Sequence, residues 1–410
     1  MDYLQFMDRM LRSNRMEYGQ VRYLVTGADL VVRDYVFHDI VGRCRIQGKT
    51  LYVIDDTGGR DVVNRGILQD AGYRLQNGLS GGLCLYSPFH IRSVRGTSRL
   101  RRILGTLGYD ERQKAKLLAY FHFLTHLETL ASCVDRNRTG KDVRAGGEGA
   151  KTGPEELSEE ILCDYSSVYA VEERIQEIVD AGIIDEPERM HLLSKYAEVS
   201  SAAADFEDML FVLMPFTQGK SIHEDASPER ALVFPTGELG EDETVRTVLL
   251  QLLRFGLEEG DFSRLAVLVF DKGYGQRQSL FTFLSSLSAA MEVHVFSDDF
   301  FTLSDEAGIA SMLNRFSARI YSRHLTMESC RRIEEACGEI DMVKNAKTIT
   351  YDRRVFANKP WDILFGTNKT EAYVQEAPVR EPRYRKEMIC RFSPGSGIID
   401  FMGHTTMFVI

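Results

Sequence analysis

The 410 residues, 44% hydrophobic and 27% charged, suffice for two or three domains with a full buried core. The formal net charge of −10 argues against a broad basic surface, and so against nonspecific nucleic-acid binding by the chain as a whole. Seven cysteines (44, 84, 133, 163, 330, 337 and 390) form no Cys-x-x-Cys pair and read as reduced thiols of a cytoplasmic protein; no apolar run reaches the length that inserts in a membrane.

In chain order, residues 1–18 form a short amphipathic lead-in with Leu4, Met7 and Leu11 on one face and Met10 beside them. Residues 21–26 read as a buried strand, followed by a helix to about Gln47. A second strand, 50–55, ends in Asp55 and Asp56 ahead of Gly58 and Gly59. Strand, helix and strand in this order imply a βαβ unit and a parallel sheet. A shorter helix and a strand around 83–86 extend the pattern.

From about Thr97 to Arg230 apolar residues recur at helical spacing, which predicts an inserted all-helical domain with a disordered loop at about 136–155. Alternation then resumes, with strands at 231–235, 264–270, 292–296 and 318–322 and helices at 241–258, 276–290, 303–316 and 326–337. Residues 340–390 read as polar and irregular, and 396–402 with 406–410 as a closing β-hairpin. The expected organisation is an α/β core in two parts, 1–96 and 231–410, interrupted by a helical domain at 97–230. Its sheet is doubly wound and mainly parallel.

The first strand and helix are where a phosphate loop belongs. That motif is Gly, four residues, then Gly-Lys-Ser/Thr, whose backbone N–H groups wrap the phosphates. Counting from Gly27 puts Val32 at the second glycine, Arg33 at the lysine and Asp34 at the hydroxyl position. A β-branched valine resists the backbone geometry for which the motif uses glycine. Arg33 keeps a charge on a planar fork. Asp34, with Asp29 nearby, brings carboxylate where a polyanion should sit. Two like charges about 4 Å apart cost about 4 kcal/mol at an effective dielectric of about 20. With a tenfold loss of affinity for about every 1.4 kcal/mol, Asp34 alone shifts a micromolar site to millimolar unless a metal bridges the two anions.

The order of these pieces resembles the TraG/TraD-type coupling ATPases of bacterial conjugation and type IV secretion, and more loosely the FtsK and HerA motor families. The resemblance rests on Gly27, on Asp55 with Gly58 and Gly59, on the helical block 97–230, on Asp271, Ser297 and Arg323 at successive strand ends, and on the basic segment 380–392 ahead of a terminal hairpin. It implies a P-loop NTPase-like fold, with Asp271 as the metal-positioning acid, Ser297 as a polar sensor and Arg323 as a catalytic arginine in an active member. This chain departs from the pattern twice, in the phosphate loop and after Asp271. The family places glutamate there to activate water, and here Lys272 and Gly273 follow. An ammonium cannot act as that base.

The expectation is therefore a pseudo-ATPase, an adaptor or structural subunit in a secretion, conjugation or DNA-processing assembly. No cofactor is expected; the family's own would be ATP with Mg²⁺. Expected partners are proteins of such an assembly or further copies of this chain, in a homo- or hetero-oligomer, with DNA a further candidate. One rival is an active ATPase using Arg33 for phosphate and Asp271 for Mg²⁺. Another is a nucleic-acid module using Arg92, Arg95, Arg99, Arg101 and Arg102.

Weaker patterns have ordinary readings. Thr26-Gly27-Ala28 with Asp55 suggests a dinucleotide site but lacks the later glycines. Gly219-Lys220-Ser221 lacks the upstream glycine and reads as an interdomain turn. His122 and His126 lack an acidic partner and read as a helix-face pair; Cys330 and Cys337 read as core-facing. Ser297, His294 and Asp298 cannot form a triad, because strand neighbours alternate in direction. Asp298 and Asp299, with Asp55, Asp56 and Asp271, make an acidic carboxyl edge of helix caps or a seat for a cation.

Overall fold

The computed structural model describes residues 2–16, 21–57, 65–79, 82–89, 93–139, 162, 165, 168–224, 227–239, 243–272, 278–349 and 372–410. Its strands are β1 (Tyr23–Thr26), β2 (Thr50–Asp56), β3 (Arg74–Asn77), β4 (Gly82–Cys84), β5 (Gly219–Ser221), β6 (Arg230–Phe234), β7 (Leu265–Asp271), β8 (Glu292–Ser297), β9 (Ala318–Tyr321), β10 (Glu339–Ile349), β11 (Ala372–Pro382), β12 (Ser396–Phe401) and β13 (His404–Val409). The main sheet has nine strands in the order β13-β12-β9-β1-β8-β7-β2-β6-β3. From β9 to β3 every pairing is parallel, and the β12–β13 hairpin joins antiparallel to β9.

The sheet is covered on both faces, so its central strands β1, β2, β7 and β8 are buried along their whole length, as parallel strands between two helical layers must be. Alternation divides their side chains. Tyr23, Val25, Leu51, Val53, Leu268 and Phe270 join one core with helices Tyr3–Asn14 and Leu30–Ile46. Leu24, Tyr52, Ile54, Val267, Val269, Val293 and Val295 join the other, with helices Glu243–Leu257 and Gln278–Ser286. Helix Leu30–Ile46 lies on its face because Val32, Val36, Phe37, Ile40, Val41 and Cys44 recur at helical spacing. The Phe37 ring meets Phe270 and Phe296 edge-on, at 5.1 and 5.5 Å.

Between β4 and β5 the described chain is helical: Val94–Thr106, Glu111–Thr139, Val168–Asp180, Glu186–Val199 and Ala203–Thr217, with a short 3-10 turn before the last. Tyr120 and Phe121 pack edge-on against Phe206, at 5.2 and 5.0 Å. The loop expected at 136–155 lies outside the described residues from 140 onward; helix Glu111–Thr139 occupies its first positions.

Three expectations require correction. The strand expected at 83–86 is β4, which leaves the main sheet and pairs with β5; the sheet edge is instead β3, whose polar sequence gives little strand signal. Gly219-Lys220-Ser221 is that partner strand rather than a turn, and Gly219 is required there because a Cβ would lie 2.3 Å from the Gly82 carbonyl carbon. Residues 340–390 are not irregular throughout: β10 and β11 pair antiparallel from Glu339 with Pro382 to Ile349 with Ala372. The parallel relation implied for β1 and β2 holds, with β8 and β7 lying between them.

At the amino ends of β2 and β8, Lys49 and Glu292 form a buried ion pair with side-chain exposures of 8% and 6%. His294 Nε2 lies 2.8 Å from Glu292 Oε1, and the Cys44 thiol donates to the same oxygen at 3.7 Å. Burial pushes the Glu292 carboxyl up, but His294 and Lys49 outweigh it and hold the group below the usual carboxylate range. Removing one member strands a buried charge, a loss of about 3–5 kcal/mol, whereas replacing both by apolar groups is often neutral. Glu292→Leu should therefore lower the urea midpoint strongly, and Lys49→Met combined with Glu292→Leu should recover much of that loss.

Candidate functional site

Backbone register aligns the carboxyl ends of five strands in one row: Tyr321 beside Thr26, Thr26 beside Ser297, Ser297 beside Asp271, and Asp271 beside Asp56. This edge is where open α/β sheets bind ligands. Three residues, Gly27, Ala28 and Asp29, separate β1 from the helix that begins at Leu30. The helix starts this early because Asp29 is its N-cap, accepting from the Val31 N–H at 2.9 Å. Val32, Arg33 and Asp34 thus lie inside the helix, and the open turn that would wrap a phosphate is shortened away.

The first two backbone donors of this turn are engaged by the protein, and the helix ladder begins at once behind it. Gly27 N–H donates to the Ser297 carbonyl at 3.0 Å, Ala28 N–H to the Arg323 carbonyl at 2.9 Å and Arg33 N–H to the Asp29 carbonyl at 3.1 Å. A helix N-terminus favours an anion, and here the Asp29 carboxylate is in place. Its second oxygen accepts from Gly395 N–H at 2.8 Å, which ties the approach to β12 across the turn. Gly27 has φ +128°, and a Cβ would lie 2.1 Å from Ser322 Oγ and 2.9 Å from the Ser322 carbonyl carbon. Close approach of β1 to the end of β9 therefore accounts for this glycine without a phosphate.

Val32 is fully buried. The Arg33 guanidinium, 14% exposed, reaches Asp298 at 3.4 Å and Asp34 at 3.8 Å. On β7, Asp271 is 2% exposed and accepts from the Ser297 hydroxyl at 2.7 Å; Lys272 follows it, and Gly273 lies outside the described residues. Gly27, Ser297 and Asp271 are thus brought together across β1, β8 and β7. Asp55 lies on the strand next to Asp271 but far from Gly27: β2 is three strands from β1, about 14 Å at ordinary strand spacing. Asp55 accepts from the Thr57 amide at 3.0 Å and from the Thr57 hydroxyl. The same separation removes the dinucleotide reading, which needs the first two strands side by side. Gly58 and Gly59 lie outside the described residues.

The acidic edge is satisfied largely from within. Asp56 lies 3.5 Å from Arg246 and accepts from Thr236 at 3.1 Å. Asp299 caps a 3-10 turn and accepts from the Ser329 hydroxyl at 2.6 Å. Among the described residues, the group spaced to hold a metal ion is Cys44, Glu292 and His294 at the opposite edge, where the Lys49 ammonium already neutralises the carboxylate. His122 and His126 are both exposed.

Three arginines of the basic stretch are paired. Arg99, with a side chain 6% exposed, pairs with Glu259 at 2.7 Å and Glu258 at 3.0 Å, over the rings of Tyr86 and Phe255. Arg95 reaches Glu258 at 3.6 Å, and Arg101 pairs with Glu111. Arg102 is exposed, and Arg92 lies outside the described residues.

Sequence reasoning missed His324, which sits under the turn and is 1% exposed. Its Nδ1 lies 2.8 Å from the Ser322 carbonyl and its Nε2 3.1 Å from Thr26 Oγ1, which accepts from Phe300 N–H at 3.1 Å. A carbonyl only accepts, so Nδ1 carries the proton and Nε2 receives the Thr26 hydroxyl, the neutral tautomer. The sequence signal, a histidine two residues after a strand, is too common to single it out. Arg323, next to it, turns its side chain to solvent and contributes its carbonyl to Ala28.

Burial lowers the His324 pKa, against its bond to Ser322 and the charge of Asp299. A histidine depressed in the folded state contributes fully above its unfolded pKa of about 6.5, and that contribution is lost as pH falls below it, by at most about 1.4 kcal/mol per pH unit. His324→Gln should flatten the fall in melting temperature between pH 7 and 5 relative to wild type. Gly27→Ala should cost at least about 1–3 kcal/mol in urea unfolding from backbone strain. Ser322→Ala should rescue it only in part, because the backbone clash and the positive φ persist.

No family model and no curated protein matches this sequence. Solved structures do resemble it. The conjugative coupling protein TrwB, described as bacterial, in an unbound form covers 96% of this chain and 84% of its own at 12% identity, with a TM-score of 0.47. Plasmid TrwB in complex with the non-hydrolysable GTP analogue GDPNP covers 95% and 85% at 11% identity, with a TM-score of 0.46. VirB4 of Thermoanaerobacter pseudethanolicus covers 95% of this chain and 88% of its own at 10% identity, with a TM-score of 0.51. The likeness to VirB4 is one of fold, and with the nine-stranded, mostly parallel sheet it establishes a P-loop NTPase-like α/β architecture, as the order of the sequence elements implied.

Proposed function

We propose that this chain is a non-catalytic relative of the conjugation and type IV secretion coupling ATPases, acting as an adaptor or structural subunit in the cytoplasm. The observation that carries the reading is the turn after β1: three residues long, its Gly27 and Ala28 donors engaged by the Ser297 and Arg323 carbonyls, and its helix N-terminus held by a carboxylate. These residues do not fit ATP with Mg²⁺. Arg33, which an active enzyme would need for phosphate, is engaged by Asp298, and Lys272 stands where a catalytic glutamate would. The VirB4-like fold and the order of motifs support the family side of the proposal. We assign 97–230 as the inserted helical domain between core segments 1–96 and 231–410, and place partner recognition with proteins of such an assembly or with further copies of this chain. Among the described residues no helix is long and apolar enough to cross a membrane.

Calorimetric titration with Mg·ATP to millimolar concentration should show no saturable binding; a dissociation constant tighter than about 100 μM, a binding free energy beyond about −5.5 kcal/mol, would overturn the proposal. The combined replacement Val32→Gly, Arg33→Lys, Asp34→Thr and Lys272→Glu should still fail to bind nucleotide, because it restores residue types without lengthening the turn. Recovery of tight binding would show that substitution alone had silenced the site.

A further inference from the structure

The described free cysteines include a pair that the fold brings together from 60 residues apart. Cys330 lies in helix Met327–Cys337 and Cys390 closes the short helix Lys386–Ile389. Their sulfur atoms are 2.7 Å apart, closer than unbonded sulfurs pack and near the about 2.05 Å of a disulfide. Contacts independent of the sulfurs hold the two helices together. Glu334 accepts from the Lys386 N–H at 2.6 Å, and Ile333, Ile389 and Phe392 are buried in the same core.

We propose that Cys330 and Cys390 are a disulfide-forming pair, a redox staple that fastens the carboxyl-terminal segment to helix Met327–Cys337. Cys390 is half-buried and Cys330 fully buried, so a small-molecule disulfide such as oxidised glutathione meets Cys390 first. The Cys390 thiolate attacks one glutathione sulfur and releases the other glutathione as a thiolate. Cys330 then loses its proton to solvent and attacks Cys390 Sγ, forming the protein disulfide and releasing the second glutathione. Two protein thiols are oxidised and one glutathione disulfide is reduced. Burial and the neighbouring thiol raise the Cys330 pKa, which suits the order of attack. The stapled segment continues to Gly395, the residue bound to Asp29 at the turn after β1. Oxidation therefore fixes the strap that crosses that turn.

The test incubates the full reduced chain with oxidised glutathione and maps its peptides without reductant. The expected result is a reducible peptide pair linking Cys330 to Cys390, with a melting temperature raised by several degrees. Cys390→Ser should lose both the link and the rise. The mapping on wild type needs no variant: recovery of both cysteines as free thiols or as separate glutathione adducts, or pairing with another cysteine, overturns the proposal. An oxidised form that carries the link but melts no higher overturns the stapling role.

Discussion

Asp29 fixes the character of the carboxyl edge. By capping helix Leu30–Ile46 with one oxygen and holding Gly395 with the other, it ends the connection after three residues. Everything near it follows from that length. Val32 falls on the buried face of the helix, Arg33 swings toward Asp298, and the Gly27 and Ala28 N–H groups find carbonyls at the end of β8 and just past β9. A phosphate would compete with a carboxylate already in place, tethered by its own backbone and losing no translational freedom.

The strand β7 was legible because it is an apolar run buried on both faces, a signal that survives without knowledge of its neighbours. Strand order was not legible. Strand, helix and strand in sequence imply that 50–55 runs parallel to 21–26, yet nothing in either segment announces that β8 and β7 come between. β3 escaped because Arg74, Gln76 and Asn77 leave it one apolar residue, and an edge strand needs no more. The β10–β11 hairpin escaped for a related reason, since its pairing is with itself rather than with the main sheet.

At the site, residue types could be read and geometry could not. The substitutions at Val32, Arg33 and Asp34 were visible in the sequence, but they suggested an intact turn with the wrong side chains. The helix start shows a shorter turn. His324 was invisible because its meaning lies in Thr26, far away in sequence and joined to it only through β1 and β9. In the basic stretch the sequence showed the arginines but not their partners: Glu111, Glu258 and Glu259 arrive from elsewhere in the chain to pair Arg95, Arg99 and Arg101.

The central place of β1 has a consequence for biosynthesis. Its two neighbours are β8 and β9, so Leu24 pairs with Val295 and Arg319, about 270 residues or more further along the chain. At about 5–20 residues per second, β1 leaves the ribosome on the order of 15–50 s before either flank of its hydrogen-bond ladder exists. During that interval its backbone edges lie open to any extended segment. The helices Tyr3–Asn14 and Leu30–Ile46, which share its core, are made within the same early stretch and can shield one face of the strand, but neither can satisfy the ladder. A strand buried along its whole length in the finished protein is in this sense one that stays incomplete for most of synthesis.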